Sequence, residues 1–199
     1  MVMIKTEKGS DMISAIEAVK AISDIRSSEV VVATMTANRY WESVSQNQEM
    51  DLPVFGAMGK ASSVALGLAL SQPNKKIVVL DGDGSLLMNL GSLITVAGME
   101  PKNFLHFVFE DGAYWTTGGQ PIPGNGKFDL SAMANDAGYR STHSFEDLET
   151  LVSELPNLME REGPIFVSIK VIHPEHAGKP FIGSTKSAME KLSKSISGN

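Results

Sequence analysis

Cysteine is absent from the chain, so disulfides, zinc–thiolate sites and cysteine nucleophiles are excluded. That absence fits a cytoplasmic protein. No run of lysine and arginine occurs, and the formal charge is −6. Both argue against a nucleic-acid surface, and the charge also argues against anionic membranes. No stretch reaches the roughly 18 consecutive apolar residues that a membrane span needs. The segment Met1 to Asp11 carries Lys5, Glu7, Lys8 and Asp11 and lacks the apolar core of a signal peptide. Internal repeats and low-complexity segments are missing too. What is there is a chain of 199 residues, 42% hydrophobic and 20% charged, the profile of a soluble globular protein. Residues 1–199 read as one domain, with 180–199 as a tail or short helix.

Four short runs of β-branched and apolar residues stand out: 29–35, 76–81, 104–109 and 164–171. Such continuous runs mark strands buried on both faces. Helical patterns lie between and around them. Ser10 can cap a helix carrying Met12, Ile13, Ile16, Val19 and Ile22. Others span Lys60–Leu70, with small residues Ala61, Ser62, Ala65, Gly67 and Ala69 suited to close packing, then Ser85–Met99, 129–136 and 145–160. Strands alternating with helices predict an α/β fold, a doubly wound, mainly parallel sheet with helices on both faces. Ligands of such sheets bind beyond the carboxyl ends of the strands.

Two loops follow such ends. In Asp81-Gly-Asp-Gly-Ser85, Gly82 and Gly84 let the backbone turn and approach a ligand closely. Free amides at the start of the helix at Ser85 suit a phosphate. Asp83 would repel that phosphate unless a divalent cation lay between them, and Mg²⁺ takes carboxylate and phosphate oxygens. The second loop, Glu110 to Gln120, supplies Asp111 as a further oxygen ligand and is long for a mere connection. Together they predict a Mg²⁺–diphosphate site.

This pattern resembles the signature of thiamine diphosphate (ThDP) enzymes, a Gly-Asp-Gly followed by a metal-binding pair that is usually Asn-Asn or Asp-Asn. Residues 85–109 separate Gly84 from Glu110-Asp111, which matches the family spacing. The resemblance implies Mg²⁺ on Asp83, Asp111 and the carbonyl of Ala113. A third segment, Phe55-Gly-Ala-Met-Gly-Lys60, resembles the Gly-Ser-Met-Gly-His-Ala segment of ThDP-dependent decarboxylases. It implies that Met58 props the cofactor into its bent shape and that Gly56, Ala57 and Met58 border the aminopyrimidine. Tyr114 to Gln120, with Thr117-Gly-Gly-Gln120, resembles sulfopyruvate decarboxylase β subunits and part of phosphonopyruvate decarboxylase.

The implied activity is decarboxylation of a small 2-oxoacid with an anionic head group, the thiazolium serving as electron sink. The family's catalytic glutamate belongs to a separate pyrimidine-binding domain. The expectation is that a second, α chain supplies it, in an α₂β₂ assembly. A carboligase subunit like those of acetolactate synthases, or a non-catalytic scaffold on the same fold, are the alternatives. Two residues depart from the family pattern: Asp111 replaces the usual Asn and Lys60 the usual His. Lys60 reads equally as a substrate contact or an interface lysine. Tyr114 and Trp115 line the site or pack on the partner, and Thr36 and Asn38, read as ending the first strand, are candidates for reaching the diphosphate. His106 reads as core and His143 as structural. His173-Pro-Glu-His176 lacks a third ligand spaced to make a metal site. The tail helix, Ser187 to Leu192, is a candidate cover for the cofactor.

Overall fold

Each of the four apolar runs forms a strand in the computed structural model, which describes residues 12–173 and 183–197. In chain order the elements begin with β1 (Ile13–Ser14), α1 (Ala15–Ile25), β2 (Val30–Thr34), α2 (Met35–Val44) and β3 (Asp51–Val54). Next come α3 (Ala61–Ser71), β4 (Ile77–Gly82), α4 (Asp83–Leu87), α5 (Ser92–Met99) and β5 (Phe104–Glu110). A small hairpin follows, β6 (Ala113–Tyr114) and β7 (Gln120–Pro121). The chain continues with α6 (Leu130–Ala137), β8 (Ser141–Phe145), α7 (Leu148–Glu160), β9 (Ile165–Ile172) and α8 (Thr185–Ser197).

Among the described residues the main sheet has seven strands, in the order β1-β9-β5-β4-β2-β3 with β8 also on β9, and every pairing is parallel. Side chains alternate across it, as a pleated strand requires. Val31, Ala33, Val78, Leu80, Leu105 and Phe107 face the layer of α1, α2 and α7. Val30, Val32, Ile77, Val79, Phe104 and Val108 face the layer of α3, α5 and α6. The fold is thus the expected doubly wound α/β sheet, covered on both faces. No helix among the described residues is long and apolar enough to cross a membrane.

Several boundaries differ from the sequence expectation. Ser10 lies outside the described residues; Ile13 belongs to β1, and the first helix begins only at Ala15. Thr36 and Asn38 do not end a strand but lie in α2, whose buried residues include Ala37, Tyr40 and Trp41. The helix expected over Ser85–Met99 breaks into α4 and α5 at 88–91. Gly67 of α3 faces solvent rather than the sheet. The tail helix runs over Thr185–Ser197, longer than expected. It packs its buried Leu192 beside β3, at the sheet's edge, and so does not cover the loop cluster.

Edge strand β3 is held by charge as well as packing. The Arg26 guanidinium pairs with Asp51 at 2.8 Å, with both side chains nearly sealed from water. It also lies 5.2 Å from the centre of the Trp41 ring, so α1, α2 and β3 meet at one cation. On the other layer, the Asn103 amide donates to the carbonyls of Ala69, Gln72 and Lys75 at 3.1, 3.0 and 2.7 Å. Those carbonyls lie at and beyond the end of α3, where intrahelical partners run out. Replacing Asn103 with Ala removes this donor from the Ala69 and Lys75 carbonyls, while Gln72 O keeps the Lys75 amide, and should cost about 1–3 kcal/mol, measured as a lowered urea midpoint at unchanged slope. A midpoint equal to wild type would mean that water serves these carbonyls as well.

Candidate active site

The strand order reverses between β2 and β4: from β2 the chain goes outward to β3, then returns to β4 on the other side. A crevice opens at the carboxyl ends of strands where such a reversal occurs. Here it encloses about 50 Å³. Thr34, Met35 and Thr36 approach from the end of β2, Met58 from beyond β3 and Gly82 to Ser85 from the end of β4. Asp111 and 113–117 approach from beyond β5, and His173 from beyond β9. Met35 carries a φ of 48°, a left-handed conformation that non-glycine residues rarely hold outside functional sites.

Main-chain amides organise the two carboxylates. Asp83 is 3% exposed; its Oδ1 accepts from the Gly84 amide at 2.6 Å, and its Oδ2 accepts from Asp111 and Gly112 at 3.1 and 2.8 Å. Asp111 Oδ1 accepts from the Ala113 amide at 2.8 Å, and Oδ2 faces His173 Nε2 at 2.5 Å. Burial first, then the neighbouring Asp111 charge, pushes the Asp83 carboxyl up to about 7 from its usual 3.8, against the lowering effect of the Gly112 and Gly84 amides. Asp83 and Asp111, from different loops, thus both line the crevice, each a possible oxygen ligand for a hard cation. Among the described residues no third His, Asp or Glu converges to make a three-side-chain metal cluster.

The three motif segments are locked together. The Gly59 amide donates to Ser85 Oγ at 3.0 Å, and Asn89 Nδ2 donates to the Gly59 carbonyl at 3.0 Å. At Gly59, with φ +72°, a Cβ would meet Asn89 Cβ at 3.0 Å, so glycine is needed for both conformation and space. The Met58 segment is thereby fixed to the Asp83 loop. Beneath them, Asp81 and His106 are fully buried, with Oδ2 and Nε2 3.6 Å apart, and His106 Nδ1 is 3.3 Å from the Tyr139 hydroxyl. His106 is the expected core residue, and it has a carboxylate for a neighbour.

Thr36, Met58, Gly82, Asp83, Gly84, Ser85, Asp111, Ala113, Tyr114 and Trp115 all line the crevice. Asn38 does not; it lines a separate cleft of about 200 Å³ beside Trp41, Asp51 and α8. Gly56, Ala57 and Lys60 are also outside the crevice lining, and Lys60 stands exposed before α3. His143 lies in β8, its ring stacked 6.4 Å from that of Phe145. Sequence reasoning missed Tyr40 and His173. Tyr40 Oη is 3.1 Å from His173 Nδ1, and burial foremost raises its phenol above the ordinary range. The signal for His173 was its place just past the fourth apolar run, where strand-end loops gather. Pro174, Glu175 and His176, the rest of that motif, lie outside the described residues.

Glycine loops and a buried carboxylate pair at the switch point of a parallel sheet belong to cofactor-binding α/β domains. The model of the thiamine pyrophosphate enzyme C-terminal TPP binding domain matches residues 29–169, so the chain belongs to that family, thiamine pyrophosphate being ThDP. It is 33% identical to the sulfopyruvate decarboxylase subunit beta of Methanothermobacter thermautotrophicus over 189 residues, 94% of this chain and 97% of that subunit. It is 41% identical to the phosphonopyruvate decarboxylase of Streptomyces hygroscopicus over 116 residues, 58% of this chain but only 28% of that protein. The match thus spans little more than a quarter of that longer relative. Among solved structures, the benzoylformate decarboxylase of Polynucleobacter necessarius superposes with a TM-score of 0.68 at 18% identity, over 90% of this chain and 36% of that one. At that identity the likeness shows the fold.

The raised Asp83 carboxyl has a consequence in metal-free buffer. Its protonated form is favoured in the folded state, so its contribution to stability is complete below about pH 4 and is lost as pH rises through about 7. Asp83→Asn should flatten that part of the profile of thermal unfolding against pH. A variant curve parallel to wild type across this window would place the titration elsewhere.

Proposed function

We propose that the chain is the diphosphate- and Mg²⁺-binding β subunit of a two-chain, ThDP-dependent 2-oxoacid decarboxylase. Its substrate is a small 2-oxoacid with an anionic head group, sulfopyruvate or phosphonopyruvate in kind. The observation that carries the reading is the match to a sulfopyruvate decarboxylase subunit beta over 97% of that subunit. Because that relative is a subunit, the partner is an α chain bearing the pyrimidine-binding domain and the catalytic glutamate. An α₂β₂ assembly in the cytoplasm completes the proposal.

When bound, ThDP supplies the thiazolium electron sink for loss of CO₂. The chain's own residues do the rest of this half-site's work. Asp83, Asp111 and the Ala113 carbonyl would hold Mg²⁺, whose charge would offset the two carboxylates and favour a diphosphate nearby. The turn at Gly82 and the first turn of α4, with Gly84 and Ser85, would lie nearest the phosphate oxygens. Met58, which lines the crevice beside the Gly59–Ser85 contact, would act as the apolar wedge that supports a bent cofactor. Lys60, exposed before α3, is left for the partner chain or for a substrate anion held between chains.

Calorimetric titration with ThDP, with and without Mg²⁺, tests the site. Asp83→Ala should weaken Mg²⁺-dependent ThDP binding by at least about 100-fold, since even outer-shell losses cost roughly 10–100-fold. Unchanged affinity would sink the ligand assignment. With the α chain added, CO₂ release should be faster from sulfopyruvate or phosphonopyruvate than from pyruvate. Binding without turnover on any of them would turn the reading to a scaffold subunit, and acetolactate-type products would turn it to a carboligase.

A further inference from the structure

His173 stands 62 residues beyond Asp111 in sequence, yet its Nε2 lies 2.5 Å from Asp111 Oδ2. A carboxylate only accepts hydrogen bonds, so Nε2 carries the proton and donates it. Nδ1 of the neutral ring is then an acceptor, and the Tyr40 hydroxyl, 3.1 Å away, is the group that donates to it. The ring is also held by its faces. It stacks on Tyr40 at 5.7 Å between centroids and 28° between planes, and meets Trp115 at 5.3 Å and 56°. Both ring nitrogens and both ring faces are therefore committed, and the histidine is 11% exposed.

Asp111 is fixed at both oxygens as a result: Oδ1 by the Ala113 amide at 2.8 Å, Oδ2 by His173. An asparagine at this position would bring an N–H donor of its own; an aspartate brings none, and a donor must come from elsewhere. Tyr40 donates to His173 and His173 to Asp111, a chain of hydrogen bonds that runs from α2 past the end of β9 to the loop after β5. Metal-binding carboxylates are typically oriented by such outer hydrogen bonds.

We infer that His173 is a positioning residue for the metal site: it orients Asp111 for cation binding, with Tyr40 setting its tautomer and Trp115 packing its ring. The inference rests on the reading of Asp83 and Asp111 as metal ligands. It is distinct from a purely structural role, in which the His173–Asp111 contact merely ties β9 to the neighbouring loop.

The test is direct titration of Mn²⁺, followed by its electron paramagnetic resonance signal, on the full chain with saturating ThDP. The wild type is compared with Asp111→Ala, His173→Phe, His173→Gln and the double variant Asp111→Ala/His173→Phe. His173→Phe should weaken Mn²⁺ binding about 10–100-fold, with an unchanged circular dichroism spectrum. His173→Gln, which keeps an N–H at the same reach, should recover most of that loss. In the Asp111→Ala background, His173→Phe should have no further effect. Wild-type affinity in His173→Phe, or an equal loss with and without Asp111, overturns the positioning role. No rescue by Gln, with the fold intact, overturns it as well. Mn²⁺ affinity untouched by Asp111→Ala removes the ligand assignment first, and the inference falls with it. The Asp111→Ala arm thus separates failure of the site reading from failure of the His173 role.

Discussion

Two carboxylates in one dry hollow repel each other, and the local structure is organised around containing that repulsion. Asp83 and Asp111 come from different loops, yet four main-chain amides and one imidazole point at their four oxygens. Two of those amides belong to Asp111 and Gly112 themselves, so the loop after β5 is drawn onto Asp83 by the very group it repels. Hydrogen bonds to the charged form oppose the effects of burial and like charge, but do not cancel them, since the Asp83 carboxyl remains raised. The loop's conformation and the raised Asp83 carboxyl share one electrostatic setting.

The sheet makes this containment possible by bringing strand ends into one row. Parallel pairing aligns the carboxyl ends of β2, β4, β5 and β9, and the β2–β4 reversal leaves a crevice that no crossover helix fills. Packing on the two faces then fixes register, because a one-residue slip would send each core side chain into the opposite helical layer. Rigid strand ends hold loops whose own residues are mostly polar.

How far this was legible depended on whether the physical cause was local. Runs such as 104–109 read as strands because burial on both faces leaves no polar alternation to confuse them. Strand β3 did not, because Asp51 and Pro53 give it the composition of a turn; an edge strand tolerates the proline. Helix α2 starts directly from β2 with no turn between them, so Thr36 and Asn38 read as strand-end groups. The paired glycines around Asp83, and Asp111 beyond the next strand, were legible because turn chemistry and spacing are properties of sequence. His173 was not, for its importance rests on a contact across 62 residues. Asn38, which read as a strand-end group, lines another cleft, and Lys60, which read equally as a substrate contact or an interface lysine, stands at the surface.

The Tyr114 ring carries a consequence for spacing. A Cβ added at Gly84 would lie 2.7 Å from Tyr114 Cδ1 and Cε1 and 3.2 Å from Ile122 Cγ2. Gly84 therefore gives its space to a neighbour's ring. Thr116 Oγ1 meets Thr36 Oγ1 at 2.8 Å, tying the same hairpin to α2. Any side chain at Gly84 would have to push that hairpin off α4 and strain its tie to α2, so one missing Cβ sets how closely elements from three strand ends can gather.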